Sequence, residues 1–434
     1  MEYTQRLLAR QKDTGRPVRV GLVGAGQMGS GFIVQIARLP GVHMTAVADV
    51  AVDRAIAALG NAGIHDVVKN DDIDALSEAI ARGEHVVVDD ALTLPKLPLD
   101  LIIECSGVPE VAAAVAFSSL LAGKHVALMT VEADVTVGLV LASIAAQTGS
   151  IYTVCRGDEP VECLKLVEYV RDIGLELVCA GKGKNNPLNP EATPTMLAEE
   201  AKAKGMNPRM LCSFVDGTKT MIEMAALANA ADLQLSTRSM NGPASTVPTL
   251  HETFIPIEDG GVLGGVGVVD YATGPVAPGV FVTAKANDPV VQAELSYLKL
   301  GAGPYFSFYR PYHLASIEAI LTIGEIIIDG QRSLAPVAWN ADVTARAKRD
   351  LGVGDRIDGI GGEHVYGDAV SSVTAAAGKE LPIGLTYGAT LVREVKKGTP
   401  LTYDDVQLDE TKTIVILRRL QDRLLADGVL GSKV

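Results

Sequence analysis

The chain has 434 residues, enough for two to three domains with separate hydrophobic cores. A net charge of −14 and an aromatic content of 4% disfavour a protein that binds nucleic acid or anionic lipid. Five cysteines without a C-x-x-C pair are typical of reduced thiols, and the N-terminal residues lack the apolar segment of a signal peptide. We therefore expect a soluble cytoplasmic protein without nucleic-acid or membrane partners.

The N-terminal region alternates predicted strands with predicted helices. Apolar, β-branched runs predict strands at 18–23, 44–49, 99–105 and 125–129. Helical patterns begin near Met28 and Val52. This alternation predicts a doubly wound parallel sheet with helices on both faces. The charged segment 61–98 is expected to form a helical insertion and a loop.

A glycine-rich motif separates the first predicted strand from the helix after it. Gly24, Gly26 and Gly29 form G-x-G-x-x-G, which permits a tight turn, close approach of a pyrophosphate and close helix–strand packing. Asp49, twenty residues further on, could bind the ribose 2′-hydroxyl of NAD, whereas Arg54 could neutralise the 2′-phosphate of NADP. The motif predicts a dinucleotide cofactor, with NADP(H) favoured and NAD left open.

Further cofactor-site residues are predicted beside the glycines and after the third clear strand. They are Gln27, Met28, Cys105, Ser106 and Gly107. The last three belong to "ECSG" at the carboxyl end of the strand, where the nicotinamide is expected in such a sheet. Glu104 in the same segment either caps a helix or takes a direct part.

After residue 151 the pattern changes. "IYTVCRGDEP" and "LELVCAGKGKN" predict strands, 221–233 predicts an amphipathic helix, and 313–330 predicts a helix closed by glycine. The last hundred residues combine short strands, turns and a charged terminal helix. The predicted α/β architecture comprises a Rossmann domain at 1–153, an α+β catalytic and oligomerisation domain at 154–333, and a small β-rich domain at 334–434.

Two adjacent acids follow the predicted strand at 151–155. Asp158 and Glu159, beside Arg156, could bind a divalent cation because such ions prefer hard oxygen ligands. The alternative is an exposed turn before a helix that has Pro160 at its first position.

A basic loop follows the strand "LELVCAG". Lys182 and Lys184, among glycines that expose backbone N–H groups, form a candidate cradle for a phosphate or carboxylate, and a merely solvated loop is the alternative. Arg310 lies in "YRPYHLASIE" at the start of a predicted helix and is a third candidate cation for the same anion.

Candidate proton-transfer residues lie at two predicted helix starts. In "FVDGTKTMIEM", Asp216 and Lys219 occupy a turn, and Glu223 shares a helix face with Lys219, either as an ordinary ion pair or as acid and base. His313 could exchange a proton near neutral pH, although a lone histidine is more often structural.

These segments together resemble the homoserine dehydrogenase-like oxidoreductases that carry a C-terminal SAF-type domain. The resemblance rests on "VGLVGAGQMG", "DLIIECSG", "GKHVALMT", "IYTVCRGDEP" and, for the SAF part, "REVKKGTPLTYDDV". Within that group the chain is most similar to the 1-deoxy-D-xylulose 5-phosphate reductoisomerase-like enzymes. Two departures argue against homoserine as substrate: "MTVE" places Glu132 where homoserine dehydrogenases have lysine, and "GDEP" replaces "GGIP".

The resemblance implies an NADPH-dependent reductoisomerase that forms 2-C-methyl-D-erythritol 4-phosphate for isoprenoid synthesis. Lys182, Lys184 and Arg310 would bind the phosphate, while Asp158 and Glu159 would hold Mn²⁺ or Mg²⁺. Lys219, His313, Glu223 and Asp216 would complete the catalytic site.

Two alternatives remain open. The first is an NAD(P)-dependent dehydrogenase of a sugar acid or hydroxy acid, which needs neither isomerisation nor a metal. The second is a cofactor-binding sensor without turnover. In each case the substrate or ligand is small, and the large middle domain suggests a homodimer or homotetramer.

Overall fold

The computed structural model describes residues 2–430, which form sixteen strands and fifteen α-helices. The strands are β1 (Val18–Val23), β2 (Val42–Ala48), β3 (Val67–Lys69), β4 (His85–Val88), β5 (Leu101–Glu104), β6 (His125–Leu128), β7 (Tyr152–Val154), β8 (Glu176–Gly183), β9 (Gln234–Leu235), β10 (Val268–Ala272), β11 (Val280–Lys285), β12 (Tyr305–Arg310), β13 (Ala341–Ala347), β14 (Val365–Ser371), β15 (Thr390–Leu391) and β16 (Val406–Gln407). The helices are α1 (Tyr3–Thr14), α2 (Gln27–Ile36), α3 (Val52–Asn61), α4 (Ile73–Ala81), α5 (Pro109–Leu121), α6 (Val131–Thr148), α7 (Glu159–Asp172), α8 (Ala198–Ala203), α9 (Pro208–Val215), α10 (Thr218–Ala231), α11 (Leu250–Thr253), α12 (Pro289–Tyr297), α13 (Ala315–Gly324), α14 (Ser372–Gly378) and α15 (Thr413–Ala426).

The chain forms two compact units. The first unit contains the chain up to Asp158, together with 314–335 and 417–430. The second unit contains 159–313 and 336–416. This division differs from the three predicted domains, because the predicted middle and C-terminal domains share one unit and two later segments return to the first.

The first unit is built on a seven-stranded sheet whose order is β3-β4-β2-β1-β5-β6-β7. Every neighbouring pair of strands is parallel. The predicted doubly wound parallel sheet is therefore confirmed. The segment 61–98 was only partly predicted, since it contains β3 and β4 as well as α4. These strands have three and four residues, too few for a clear alternating pattern.

Two segments from later in the chain complete the first unit. Helix α13 packs against α2, where the small Gly31 faces Ser316. The Gln421 side chain in α15 accepts a hydrogen bond from the Val140 backbone N–H of α6 at 3.0 Å. A Rossmann sheet needs apolar cover on both faces. Sequence neighbours did not supply all of this cover, which is why the predicted boundaries differ from the observed units.

Helix α6 has the length and apolar composition of a membrane span. However, 61% of this segment is buried inside the protein, which is the pattern of a core helix. Its buried side chains, which include Val135, Val137 and Leu141, contribute to the core of the first unit.

The second unit contains a five-stranded mixed sheet with the order β12-β11-β8-β10-β9. Helices α7 and α10 pack on each other and on this sheet. The antiparallel pair β13–β14 packs in turn against α10. The residues predicted as a separate SAF-like domain are thus held to the middle of the chain, in part by a hydrogen bond from the Gly367 N–H to the Thr218 hydroxyl.

Candidate functional site

The glycine-rich motif forms the turn between β1 and α2. Gly24 has a φ of +90°, and a Cβ on Gly29 would overlap the Gly24 carbonyl oxygen, so both positions require glycine. Among residues 2–430, a Cβ on Gly26, the residue before α2, would meet no atom within 4 Å beyond its chain neighbours. This leaves space above the helix N-terminus, where unpaired N–H groups favour an anion. Gln27 and Met28, in the first turn of α2, are exposed beside this space.

Asp49 follows β2, as predicted, and is buried. Its carboxylate accepts hydrogen bonds from the backbone N–H groups of Ala25 and Ala51, each at 2.8 Å. The Arg54 guanidinium lies 3.8 Å from the same carboxylate, and 57% of its side chain is exposed. Asp49 therefore stabilises the glycine-rich turn, whereas Arg54 is accessible to a ligand.

The segment after β5 lies against the same turn. The Cys105 thiol donates to the carbonyl oxygens of Val23 and Gly24 at 3.2 Å. Burial raises its pKa well above the usual value, with Glu104 as a smaller cause, so the thiol stays protonated. The N–H of Ser106 donates to Glu104 at 2.7 Å, and the N–H of Gly107 donates to the Thr130 hydroxyl at 3.0 Å. The ten predicted cofactor residues thus all lie in the first unit. They occupy the glycine-rich turn, the first turns of α2 and α3, and the positions directly after β2 and β5.

Glu104 is a fully buried carboxyl in this edge. Burial raises its pKa to about 7, opposed by hydrogen bonds from Ser106 and Thr130. Its strand position directly before "CSG" is the only sequence signal that pointed to it.

A buried charged cluster lies in the second unit, where β8 faces α7 and α10. The Lys182 ammonium of β8 donates to Glu159 of α7 at 2.7 Å and also to Glu223 of α10. Lys182 is 5% exposed. On the other side of β8, the alternation of side chains leaves Gly183 against the backbone of Ala277, where no side chain would fit.

Burial and neighbouring charges shift the pKa values of Lys182 and Glu223 in this cluster. Burial alone would lower the pKa of Lys182, but Glu159 and Glu223 more than offset it, and the pKa lies above its usual value. Burial, followed by the neighbouring Glu159 carboxylate, raises the pKa of Glu223. Lys182 therefore stays charged, while Glu223 takes up a proton more readily than an ordinary glutamate does.

Two more predicted residues join this cluster. The His313 Nε2 atom lies 3.2 Å from Glu159 Oε1, and the Lys219 ammonium lies 3.8 Å from Glu223 Oε1. The predicted proton-transfer residues Lys219, Glu223 and His313 are thus brought together around Lys182.

Lys184 directly follows β8, two residues after Lys182. Its ammonium donates to the carbonyl oxygens of Asn186 and Phe214 at 2.8 and 2.7 Å. Burial, and then repulsion by Lys182, lowers its pKa to about 8. It is accordingly the lysine that can lose a proton close to neutral pH.

Arg310 pairs with Glu162, a buried acid of α7 that the sequence analysis did not select. Glu159 and Glu162 are three residues apart at the start of α7, a spacing that places them on one helix face and could have identified the second acid. Of the three cations predicted to bind phosphate, Lys182 and Arg310 are already neutralised by carboxylates.

Asp216, predicted as a catalytic residue, lies in a buried ion pair away from the Lys182 cluster. Its side chain is fully buried and lies 2.8 Å from the Lys348 ammonium. Its other oxygen accepts the N–H of Thr218 at 2.9 Å. Lys348 also donates to the carbonyl oxygens of Ala192 and Gly362 at 2.6 and 2.7 Å. This network joins three distant parts of the second unit.

The predicted metal ligands lie at the junction of β7 with α7. Asp158 is the last residue of the first unit's N-terminal segment, and Glu159 is the first residue of α7. Carboxylate oxygens of Glu159 and Glu223 lie within 4.8 Å of each other, a spacing that suits a cation. In this structure the Lys182 ammonium occupies the point between them.

Comparison with known protein families gives one partial match. Residues 157–319 match the family described as "Oxidoreductase DRL, catalytic domain". No curated protein sequence matches the chain significantly.

Several solved structures share parts of the fold at low identity. A probable dehydrogenase from Thermotoga maritima is 13% identical over 73% of this chain and 90% of its own, with a TM-score of 0.42. The scyllo-inositol dehydrogenase from Lactobacillus casei, solved with NAD(H) and scyllo-inositol, is 13% identical over 73% of this chain and 91% of its own, with a TM-score of 0.42. The 1-deoxy-D-xylulose 5-phosphate reductoisomerase from Zymomonas mobilis, solved with NADPH, is 12% identical over 73% of this chain and 82% of its own, with a TM-score of 0.38. Similarity at this level does not identify a substrate.

The family match and the Rossmann sheet together confirm the predicted enzyme class, an NAD(P)-dependent oxidoreductase.

Proposed function

We propose that the protein is an NAD(P)-dependent dehydrogenase that acts on a hydroxyl group of a small sugar acid or hydroxy acid. The observation that carries this proposal is the buried cluster in which Lys182 is held by Glu159 and Glu223. It lies in the segment that matches an oxidoreductase catalytic domain. Such a cluster can hold and move protons without a metal ion, which is what alcohol oxidation requires beside hydride transfer.

The cofactor would be bound by the first unit. The open space at Gly26 and the N-terminus of α2 suit a pyrophosphate. Because the Asp49 oxygens already accept two backbone N–H groups while Arg54 is exposed, we propose NADP(H) as the preferred form and keep NAD as the alternative. The nicotinamide ring, when bound, supplies the hydride acceptor or donor.

The chain's own residues would handle the proton. Lys184, with a pKa lowered to about 8, can accept the hydroxyl proton at its Nζ atom when neutral. Glu223, whose pKa burial raises, can hold a proton at Oε1, and His313 beside Glu159 can exchange one with solvent. Lys182 would fix the orientation of both carboxylates and supply positive charge for a substrate oxygen that becomes negative.

The second candidate function is the metal-dependent reductoisomerase reaction on 1-deoxy-D-xylulose 5-phosphate. The convergence of Glu159 and Glu223 favours it, because these carboxylates could hold Mn²⁺ or Mg²⁺ if Lys182 moved aside. In that reaction, Lys184 and Arg310 would bind the phosphate of the substrate. The observed pairing of Lys182 and Arg310 with acids makes the metal-free dehydrogenase the better-supported proposal.

We also propose that the protein is a homo-oligomer that associates through the second unit. Helix α12 has no buried residue, and it presents Val290, Val291 and Tyr297 to solvent. A mass of 45.4 kDa by static light scattering, which is the mass of the monomer, would contradict this proposal.

The decisive experiment measures nicotinamide absorbance with purified protein. One arm offers NAD⁺ and NADP⁺ with a panel of sugar acids and hydroxy acids, in the presence of EDTA. The other offers NADPH and 1-deoxy-D-xylulose 5-phosphate with Mn²⁺ or Mg²⁺. Turnover in the first arm that survives EDTA supports the dehydrogenase, metal-dependent turnover in the second supports the reductoisomerase, and cofactor binding without turnover in either would point to a sensor.

Glu223→Gln then tests the role of the cluster. Loss of a proton-transfer group lowers turnover by about 100-fold or more, while cofactor affinity in the first unit should not change. The matched control is Glu200→Gln, which removes an acid of the same type from an exposed ion pair with Lys204. Equal activities of the two variants would contradict a catalytic role for the cluster.

A further inference from the structure

A second polar cavity lies in the first unit, at the end of the sheet away from the glycine-rich turn. It has a volume of about 280 Å³, and Asp100 and His125 line it where β5 and β6 begin. The glycine-rich turn follows the carboxyl end of β1, which is parallel to β5. The cavity is large enough for several ordered water molecules or for one small organic molecule.

The cavity lining includes a partly buried cation. Arg10 of α1 lines it, and its Nη1 atom is buried with no hydrogen-bond partner among residues 2–430. A buried guanidinium N–H without a partner is costly, so such groups are normally satisfied by a protein acceptor, water or a ligand.

The second donor is His125. Its Nδ1 atom accepts the backbone N–H of Ile151 at 3.0 Å, so the neutral ring carries its proton on Nε2. Burial lowers the pKa of this imidazole, which keeps the ring neutral near pH 7. The cavity is therefore lined by both a charged and a neutral N–H donor.

The carboxylate in the cavity wall does not oppose an anion. Asp100 is held by Arg16 through two hydrogen bonds of 2.6 and 2.8 Å, and it accepts the Arg19 N–H at 2.8 Å. With Arg16 paired to it, the Arg10 charge remains in excess. Leu99, Gly123, Ile326 and Ile327 complete the lining.

We propose that this cavity is a binding site for a small organic anion, with its carboxylate or phosphate group on Arg10 and His125 and its hydrocarbon part against Ile326 and Ile327. The site does not depend on the reaction proposed above. In a protein of net charge −14, a pocket with excess positive charge is a specific feature rather than a general one.

The test uses full-length protein labelled at the histidine Cε1 position and observed by NMR. Butyrate and inorganic phosphate are titrated separately at constant ionic strength, so that the two arms distinguish a carboxylate from a phosphate ligand. The His125 resonance should shift to saturation with at least one of them. His125→Asn identifies the resonance, and it retains an acceptor for the Ile151 N–H because Asn Oδ1 can replace Nδ1.

Arg10→Gln should raise the half-saturation concentration about tenfold or more, since a charge-assisted hydrogen bond is lost. Arg38→Gln removes the same charge from an exposed position of the first unit and should have no effect. Gly26→Asp, which places a carboxylate in the other anion site of this unit, should also leave the His125 titration unchanged.

If Arg10→Gln does not fold, Ile327→Phe fills the cavity while keeping the guanidinium, and it should abolish the shift. A His125 resonance that does not move with either anion, or that moves equally in wild type and Arg10→Gln, would overturn the proposal and leave the guanidinium solvated by water alone.

Discussion

Replacing Lys348 by methionine tests whether Asp216 has a structural role. The change leaves the Asp216 carboxylate, whose side chain has no exposed surface, without its cation. It also leaves the carbonyl oxygens of Ala192 and Gly362 without a donor. Breaking a buried ion pair on one side costs about 3–5 kcal/mol. For a unit of this size we expect the thermal midpoint of the second unit to fall by roughly 6–20 °C.

The double variant Lys348→Met, Asp216→Asn separates charge from packing. Asparagine keeps an oxygen for the Thr218 N–H but carries no buried charge, so the double variant should be more stable than Lys348→Met alone. Thermal unfolding followed by circular dichroism measures both. Turnover of the folded double variant should equal that of the wild type. A stable Lys348→Met protein, or a folded double variant without activity, would refute this assignment and restore Asp216 as a catalytic candidate.

Three further outcomes are expected. Gly26→Ala should keep the thermal midpoint but weaken cofactor binding about tenfold or more. Gly29→Ala should destabilise the fold by about 1–3 kcal/mol because its Cβ overlaps the turn. Equal stability of the two variants would contradict this geometry. Burial raises the pKa of Asp134 to about 7, so the folded state favours the protonated acid and loses stability as pH rises from about 4 to 7. Asp134→Asn should therefore raise the thermal midpoint at pH 8 and not at pH 4. An equal gain at both pH values would contradict this reasoning. Turnover in the oxidation direction should rise through pH 8 as Lys184 loses its proton, and a pH–rate profile of Lys184→Met that keeps this limb would exclude it as the base.

The cofactor half of the molecule could be predicted from sequence because its signals are local. β1, the glycine-rich turn and α2 are consecutive, and β1 was predicted with its observed bounds of Val18–Val23. The hydrophobic period, the glycines and an acid at the end of the next strand each depend on a few neighbouring residues. The same local logic failed for β3, whose three residues carry too little pattern.

The reactive half could be predicted only as a collection of residue types. Lys182, Glu159 and Glu223 were each selected, but the sequence analysis assigned them to a phosphate site, a metal site and a proton relay. Lys182 is 23 residues from Glu159 and 41 from Glu223, so no local pattern links their charges. Folding brings the three together, and the proton-transfer role that we propose for them rests on that contact rather than on the residue types.

Asp216 shows the same limit. A turn that contains aspartate and lysine suggested catalysis, because the local sequence contained nothing that could neutralise the acid. Its cation, Lys348, lies in the region predicted to be a separate domain. Sequence alone determined the parallel sheet, the dinucleotide turn and the enzyme class. Only the tertiary structure decided which charges are paired, because pairing depends on distance in space, which strands and helices far apart in the chain determine jointly.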